Sequence, residues 1–219
     1  MDALGHRRVG AALLAALACT AIGEDARGDD AALAAAVRGA VPDASPALVE
    51  QLLADKVALL PSSDPAPGEP PAVRALVLFA QPKSRVMEFL LQTARQAEYR
   101  PELERVETVE HLADGNLDEQ EMKIMFVRVR YRLRYHWDPA ADRVVWKLDP
   151  SFDNGLHVID GSWELHALDA GHTLARFSTH VDVGAALPSF LQDIATRKNV
   201  PQTLERCRKW IDSDGRYRP

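Results

Sequence analysis

Two runs near the C-terminus alternate strictly between apolar and polar positions. Ile159, Gly161, Trp163, Leu165 and Ala167 are small or apolar, with Asp160, Ser162, Glu164 and His166 between them. Ala175, Phe177, Thr179, Val181 and Val183 repeat the pattern against Arg176, Ser178, His180 and Asp182. Period two with one apolar face predicts half-buried antiparallel strands. Ala170-Gly171 supplies the turn between them. The period then lengthens: Leu187, Phe190, Leu191, Ile194 and later Leu204, Cys207, Trp210, Ile211 follow helical spacing. A hairpin is therefore expected to feed a long amphipathic C-terminal helix.

The upstream pattern is compatible with a sheet for that helix to cover. Residues 31–41 and a segment opened by Ser45-Pro46 predict two helices, the second capped by Ser45 with proline in its first turn. Lys56 to Leu60 predicts a short strand. Pro61 to Pro71 contains five prolines and is a linker or surface loop. Val73 to Ala80 predicts an apolar strand, followed by a short helix over 85–95 carrying Val86, Phe89 and Leu90. Val106 to Leu112 alternates, and Asp114-Gly115-Asn116 marks a turn. Leu117 to Trp137 is longer than one strand. Met122, Ile124 and Phe126 share one phase, and Val127, Val129, Tyr131, Leu133, Tyr135 and Trp137 share the other. A phase flip at Phe126-Val127 predicts a bulge or a break into two strands. Arg143 to Leu148 predicts another strand. The expected fold class is α+β: a curved antiparallel sheet of six to seven strands around the C-terminal helix, with two short helices after the first strand.

Composition adds bounds. At 219 residues, 47% hydrophobic and 26% charged, the chain can build one core with an extension. The formal net charge of -6 argues against a nucleic-acid partner. Two cysteines, one in the N-terminal apolar run, make a disulfide framework unsuited to this chain. Arg7-Arg8, an apolar run from Val9 to Ile22 and small residues at Ala21 and Gly23 predict a signal peptide over 1–23. The expected location is exported, in the periplasm or cell envelope. Ala16-Leu17-Ala18-Cys19 approximates a lipidation site, so Cys19 is the candidate lipid anchor, and simple cleavage is the alternative.

Motif chemistry is sparse. No CxxC or HExxH spacing is present, and the seven histidines are scattered, so neither a metal nor a cofactor is expected. Cys207 falls on the apolar helix face as an inert thiol. Arg128, Arg130, Arg132 and Arg134 form a stripe on one strand face. Such a stripe needs acids across from it, and Glu107, Glu164 and Asp182 are the expected partners. The competing reading is peripheral contact with an anionic membrane. Tyr131, Trp146, Trp163, Phe177, Leu187, Phe190, Leu191 and Ile194 fall on the face between sheet and helix and are the candidate cavity lining. Tyr131 is a polar handle, because a buried phenol needs a partner. His157, on the inward phase at a strand start, is a second.

Several stretches carry a family resemblance. Phe79-Ala80-Gln81-Pro82-Lys83-Ser84-Arg85-Val86, Tyr99-Arg100-Pro101-Glu102-Leu103, Trp146-Lys147-Leu148, Gly161-Ser162-Trp163-Glu164-Leu165, Gly171-His172-Thr173-Leu174 and Leu187-Pro188-Ser189-Phe190 resemble, in order, the segments of START-like (SRPBCC, helix-grip) proteins. The nearest likeness is to the polyketide cyclase/dehydrase and coenzyme Q-binding group. The resemblance implies a START-like domain over 73–213, after a helical extension and linker over 24–72. It also implies a cavity for a hydrophobic small molecule such as a lipid, quinone or polyketide. Two functions follow as expectations: a non-catalytic binder or carrier, and a cyclase/dehydratase-type enzyme using the same cavity.

Overall fold

The computed structural model describes residues 30–61, 72–124, 126–183 and 199–219. Helix α1 covers 30–40, and α2 spans Pro46–Asp55. The Ser45 hydroxyl accepts from the Leu48 amide at 3.2 Å, and Lys56 closes α2 in a left-handed conformation (φ 63°). Strands β1 (Val57–Leu60) and β2 (Val73–Phe79) follow. Next come α3 (Lys83–Leu90) and the 3-10 turn η1 (Thr93–Glu98). A meander then runs through β3 (Leu103–Leu112), β4 (Gly115–Ile124), β5 (Val127–Asp138), β6 (Arg143–Leu148), β7 (Val158–Ala167) and β8 (Thr173–Asp182). Helix α4 (Asn199–Asp212) ends the fold.

The strands form one antiparallel sheet in the order β1-β2-β8-β7-β6-β5-β4-β3. The meander places β3 at one edge, and β8 returns to pair with β2, from Val73↔Thr179 to Phe79↔Thr173. The sheet has eight strands rather than six or seven. The added edge strand is β1, which pairs with β2 through Val57↔Val77 to Leu60↔Arg74. The phase flip at residue 126 is a chain reversal: β4 and β5 pair from Gly115↔His136 to Ile124↔Val127. Phe126 occupies that turn and is 79% exposed, so it does not share the apolar phase of Met122.

Two cores lie on opposite faces of the sheet. The larger joins Ala75, Val77, Phe79, Tyr131, Leu133, Trp163 and Leu165 to Val86 and Phe89 of α3 and to Leu204, Cys207, Trp210 and Ile211 of α4. Burying the large apolar side chains of α4 stabilises the fold by about 1.5–3 kcal/mol each. The smaller core packs Leu33, Val37, Val49 and Leu52 of α1 and α2 on Ala58, Leu76, Leu78 and Leu174. Strand β2 is thus buried on both faces, which is why Ala75 to Phe79 is continuously apolar rather than alternating. The N-terminal helices cover the outer face of β1, β2 and β8, opposite the face that α4 covers.

Trp210 anchors α4. Its ring meets Phe89 edge-on at 4.9 Å and Tyr99 at 5.0 Å, and its indole N–H donates to Glu98 at 3.0 Å. The Asp212 carboxylate accepts from the Ala80 amide at 2.9 Å, tying the helix end to the exit of β2.

Candidate functional site

A cavity of about 150 Å³ lies between the sheet and α4. Its apolar wall is built by alternation. Leu133 and Tyr135 of β5, Val144 and Trp146 of β6, Ile159 and Trp163 of β7, and Phe177 and Val181 of β8 all turn to the same side. Leu204 and Cys207 close it from α4. Four aromatic rings line one side in sequence. Ring centres lie 6.4 Å apart for Tyr135–Trp146, 5.8 Å for Trp146–Phe177 and 4.7 Å for Trp163–Phe177. Gly161 sits directly across from Trp146 in the β6–β7 ladder, and the indole lies over it.

The other end is polar, and its hydrogen bonds have a fixed direction. Arg100, which can only donate, gives a hydrogen bond to Gln96 Oε1 at 2.9 Å. This turns Gln96 Nε2 toward Tyr135, whose hydroxyl accepts at 2.8 Å. From the opposite side, the Tyr131 hydroxyl donates to Gln120 Oε1 at 2.9 Å, and Gln120 Nε2 donates to the same Tyr135 oxygen at 3.2 Å. Tyr135 therefore accepts twice, and its own proton is left to donate. Glu102 holds this end to the helix: it accepts from Arg100 at 3.3 Å and from the Thr203 hydroxyl at 3.2 Å.

Burial pushes the Tyr131 phenol up to about 12 and the Tyr135 phenol higher still, so both stay protonated at neutral pH. Burial also pushes the Cys207 thiol up to about 12, which leaves it a thiol rather than a nucleophile. Among the described residues no group of three or more His, Cys, Asp or Glu side chains is placed to hold a metal ion.

No family model matches the chain, and no curated protein matches it. Solved structures do. A protein from Thermus thermophilus superposes with a TM-score of 0.56 at 18% identity, covering 66% of this chain and 99% of its own. The Zhui aromatase/cyclase from a Streptomyces species gives 0.53 at 19% identity, covering 66% of this chain and 97% of its own. A fragment of a STAR-related lipid transfer protein from Xanthomonas axonopodis gives 0.57 at 13%, covering 71% and 98%.

The fold is the START-like helix-grip fold. Within it, Tyr131, Trp146, Trp163 and Phe177 lie among the residues around the void. Leu187, Phe190, Leu191 and Ile194 lie outside the described residues, as does Cys19. His157 does not join the lining. It precedes the first residue of β7, its side chain is 72% exposed, and its Nδ1 lies 2.8 Å from Asp182 Oδ2. That contact on the open surface holds the ring away from the interior.

Three of the four arginines in the stripe are paired with acids, though not with Glu107, Glu164 or Asp182. Arg128 bonds Glu104 at 2.6 Å, Arg130 bonds Glu119 at 2.7 Å, and Arg132 pairs with Glu119 at 2.9 Å. The acids come from β3 and β4 because β4 is a direct neighbour of β5. Glu107 instead pairs with Arg105, and Glu164 with His166.

Pattern reading missed the polar end. Gln96, Arg100 and Glu102 lie in the irregular stretch around η1, where no periodicity marks an inward face. Gln120 lies on the inner face of β4 beside Asn116 and Asp118, where polar residues disguise a buried phase. The available signal was indirect: Tyr135 shares the inner phase of β5, and a second buried phenol demands partners of its own.

Proposed function

We propose that this protein binds or carries a hydrophobic small molecule bearing one hydrogen-bond-accepting group, without transforming it. The observation that carries the reading is the Tyr135 hydroxyl. It lies at the end of an aromatic-lined void, accepts from both Gln96 and Gln120, and retains a proton to give. A carbonyl or hydroxyl oxygen at that end would take the proton while the rest of the molecule lies against Trp146, Trp163 and Phe177. A void of about 150 Å³ accepts a body of roughly one aromatic ring, and larger ligands need the space to widen. The neighbouring folds include a lipid transfer protein and an aromatase/cyclase, so the fold is compatible with either kind of ligand chemistry.

A cyclase/dehydratase-type activity is the second reading, and the observation favouring it is the Arg100–Glu102 pair at the cavity edge. It is the weaker one. Arginine remains charged and does not shuttle protons, and the two phenols are donors rather than bases at neutral pH. The apolar N-terminal run supports an exported, cell-envelope location as part of the same proposal.

The test is mass spectrometry of the purified full chain under native conditions, before and after organic extraction. The carrier reading expects an extractable small hydrophobic molecule that the same protein takes up again unchanged. An empty protein that takes up neither lipids nor quinones contradicts it. A bound molecule returned with water lost or a new ring formed supports the enzyme reading instead.

A further inference from the structure

The outer face of the sheet carries a second groove, of about 600 Å³, running over β5 to β8. Arg134, Arg143, Lys147, Ser162 and Ser178 line it, together with the Asp114–His136 and Asp160–His180 pairs. The strand register puts Arg134 directly across from Lys147, two like charges side by side. Cross-strand like charges disfavour a sheet unless something neutralises them. Further along the same stripe Arg128, Arg130 and Arg132 each have a glutamate. Here Asp114 and Asp160 pair with histidines, and among the described residues Arg134, Arg143 and Lys147 have no ion-pair partner.

The deficit does not come from a lack of acids. The ladder sets Asp160 across from Lys147, but its carboxylate bonds His180 Nδ1 at 2.8 Å. It sets Glu164 across from Arg143, but Glu164 lies 3.2 Å from His166 Nε2. Asp138, also across from Arg143, caps the turn by accepting from the Ala140 and Ala141 amides. Three acids in register with the cations are thus engaged elsewhere. Three cations therefore share one groove without a direct ion-pair contact among the described residues. Ser162 and Ser178, directly opposite each other in the β7–β8 ladder, add two hydroxyl donors to the same groove.

We propose that this groove binds a phosphoryl-bearing anion, held between the Arg134 guanidinium and the Lys147 ammonium, with the Ser162 and Ser178 hydroxyls donating to its oxygens. The guanidinium offers a planar pair of donors and the ammonium a mobile point charge, the usual combination for a phosphoryl group. A recessed groove suits a discrete headgroup or a soluble phosphate better than a flat membrane plane. The charged side chains of the site lie on the opposite face from the cavity, and Tyr135 and Trp146 border both.

The test uses the full chain and an Arg134→Gln/Lys147→Gln double variant. Both side chains lie on the outer face, and retention of the fold is checked by circular dichroism. One arm titrates sodium pyrophosphate calorimetrically at constant ionic strength. The other measures co-flotation with phosphatidylcholine vesicles with and without phosphatidate. Binding in either arm that the double variant weakens by roughly tenfold or more supports the site, and the responding arm tells a soluble phosphate from a lipid headgroup. Absence of binding in both arms, or equal binding by the double variant, overturns it. Uptake of an apolar probe by the cavity should be the same in both proteins, so failure here is distinct from failure of the carrier reading.

Discussion

Trp146 lies across from Gly161, and its indole occupies the place where a side chain at position 161 would stand. The Ser178 carbonyl crowds the same point from β8, so neither neighbour can withdraw without disturbing the sheet. The aromatic wall of the cavity therefore depends on the one residue type that lacks a Cβ.

Gly161→Ala should destabilise the fold by about 1–3 kcal/mol, the usual effect of overpacking a filled site. It should also shift the fluorescence of Trp146 as the ring is displaced. Urea unfolding followed by tryptophan emission reads both. An alanine variant with unchanged midpoint and spectrum would show that the ring does not rest on this glycine.

Tyr135→Phe removes an oxygen that accepts from the buried Gln120 amide and the half-buried Gln96 amide. Gln96 and Gln120 each lose a partner, and the buried Gln120 donor left unsatisfied costs about 1–3 kcal/mol. Affinity for ligands with a carbonyl or hydroxyl should fall, while affinity for a pure hydrocarbon of the same shape should hold. Comparing the two ligands in wild type and variant separates lost recognition from lost stability.

Asp118 and Glu119 are neighbours on β4 that point to opposite faces and titrate in opposite directions. Burial pushes the Asp118 carboxyl above its ordinary value, opposed by hydrogen bonds from Thr93 and Thr108. The Arg132 hydrogen bond holds Glu119 below its ordinary value, with Arg130 assisting. A raised carboxylate weakens the fold as pH rises from the unfolded value through the folded one; a lowered carboxylate adds stability above the unfolded value and loses it as pH falls through the folded one. Asp118→Asn should therefore stabilise the protein at neutral pH, with the gain fading toward about pH 3.9. Glu119→Gln should destabilise it at neutral pH, with the loss closing below about pH 4.3. Denaturation midpoints against pH should converge on wild type from opposite sides; curves parallel to wild type would contradict both assignments.

The legible part of this molecule was the part where one face is apolar. Strand β5 alternates from Val127 to Trp137 because one side meets α4 and the other meets water. That single pattern puts Tyr131 on the buried inner face. Legibility failed where burial serves polar groups or both faces at once. Asn116, Asp118 and Gln120 are buried on β4, yet their composition suggests solvent. Strand β1 is four residues long, too short to show that it completes the sheet edge. His157 had the correct phase but lies just outside the strand, where alternation no longer governs direction. The acids for the arginine stripe required strand order, which period alone does not supply.

The unfilled space between the aromatic wall and α4 is what separates a carrier from a plain structural domain. The most direct measurement is a tryptophan-fluorescence titration of the full chain with a one-ring aromatic ketone, in wild type and in Leu204→Phe, which places extra volume in the void from α4. Saturable quenching in wild type, lost or weakened by roughly tenfold in the filled variant, is the expected result. No quenching in wild type, or the same titration curve in both, would contradict a ligand-binding interior.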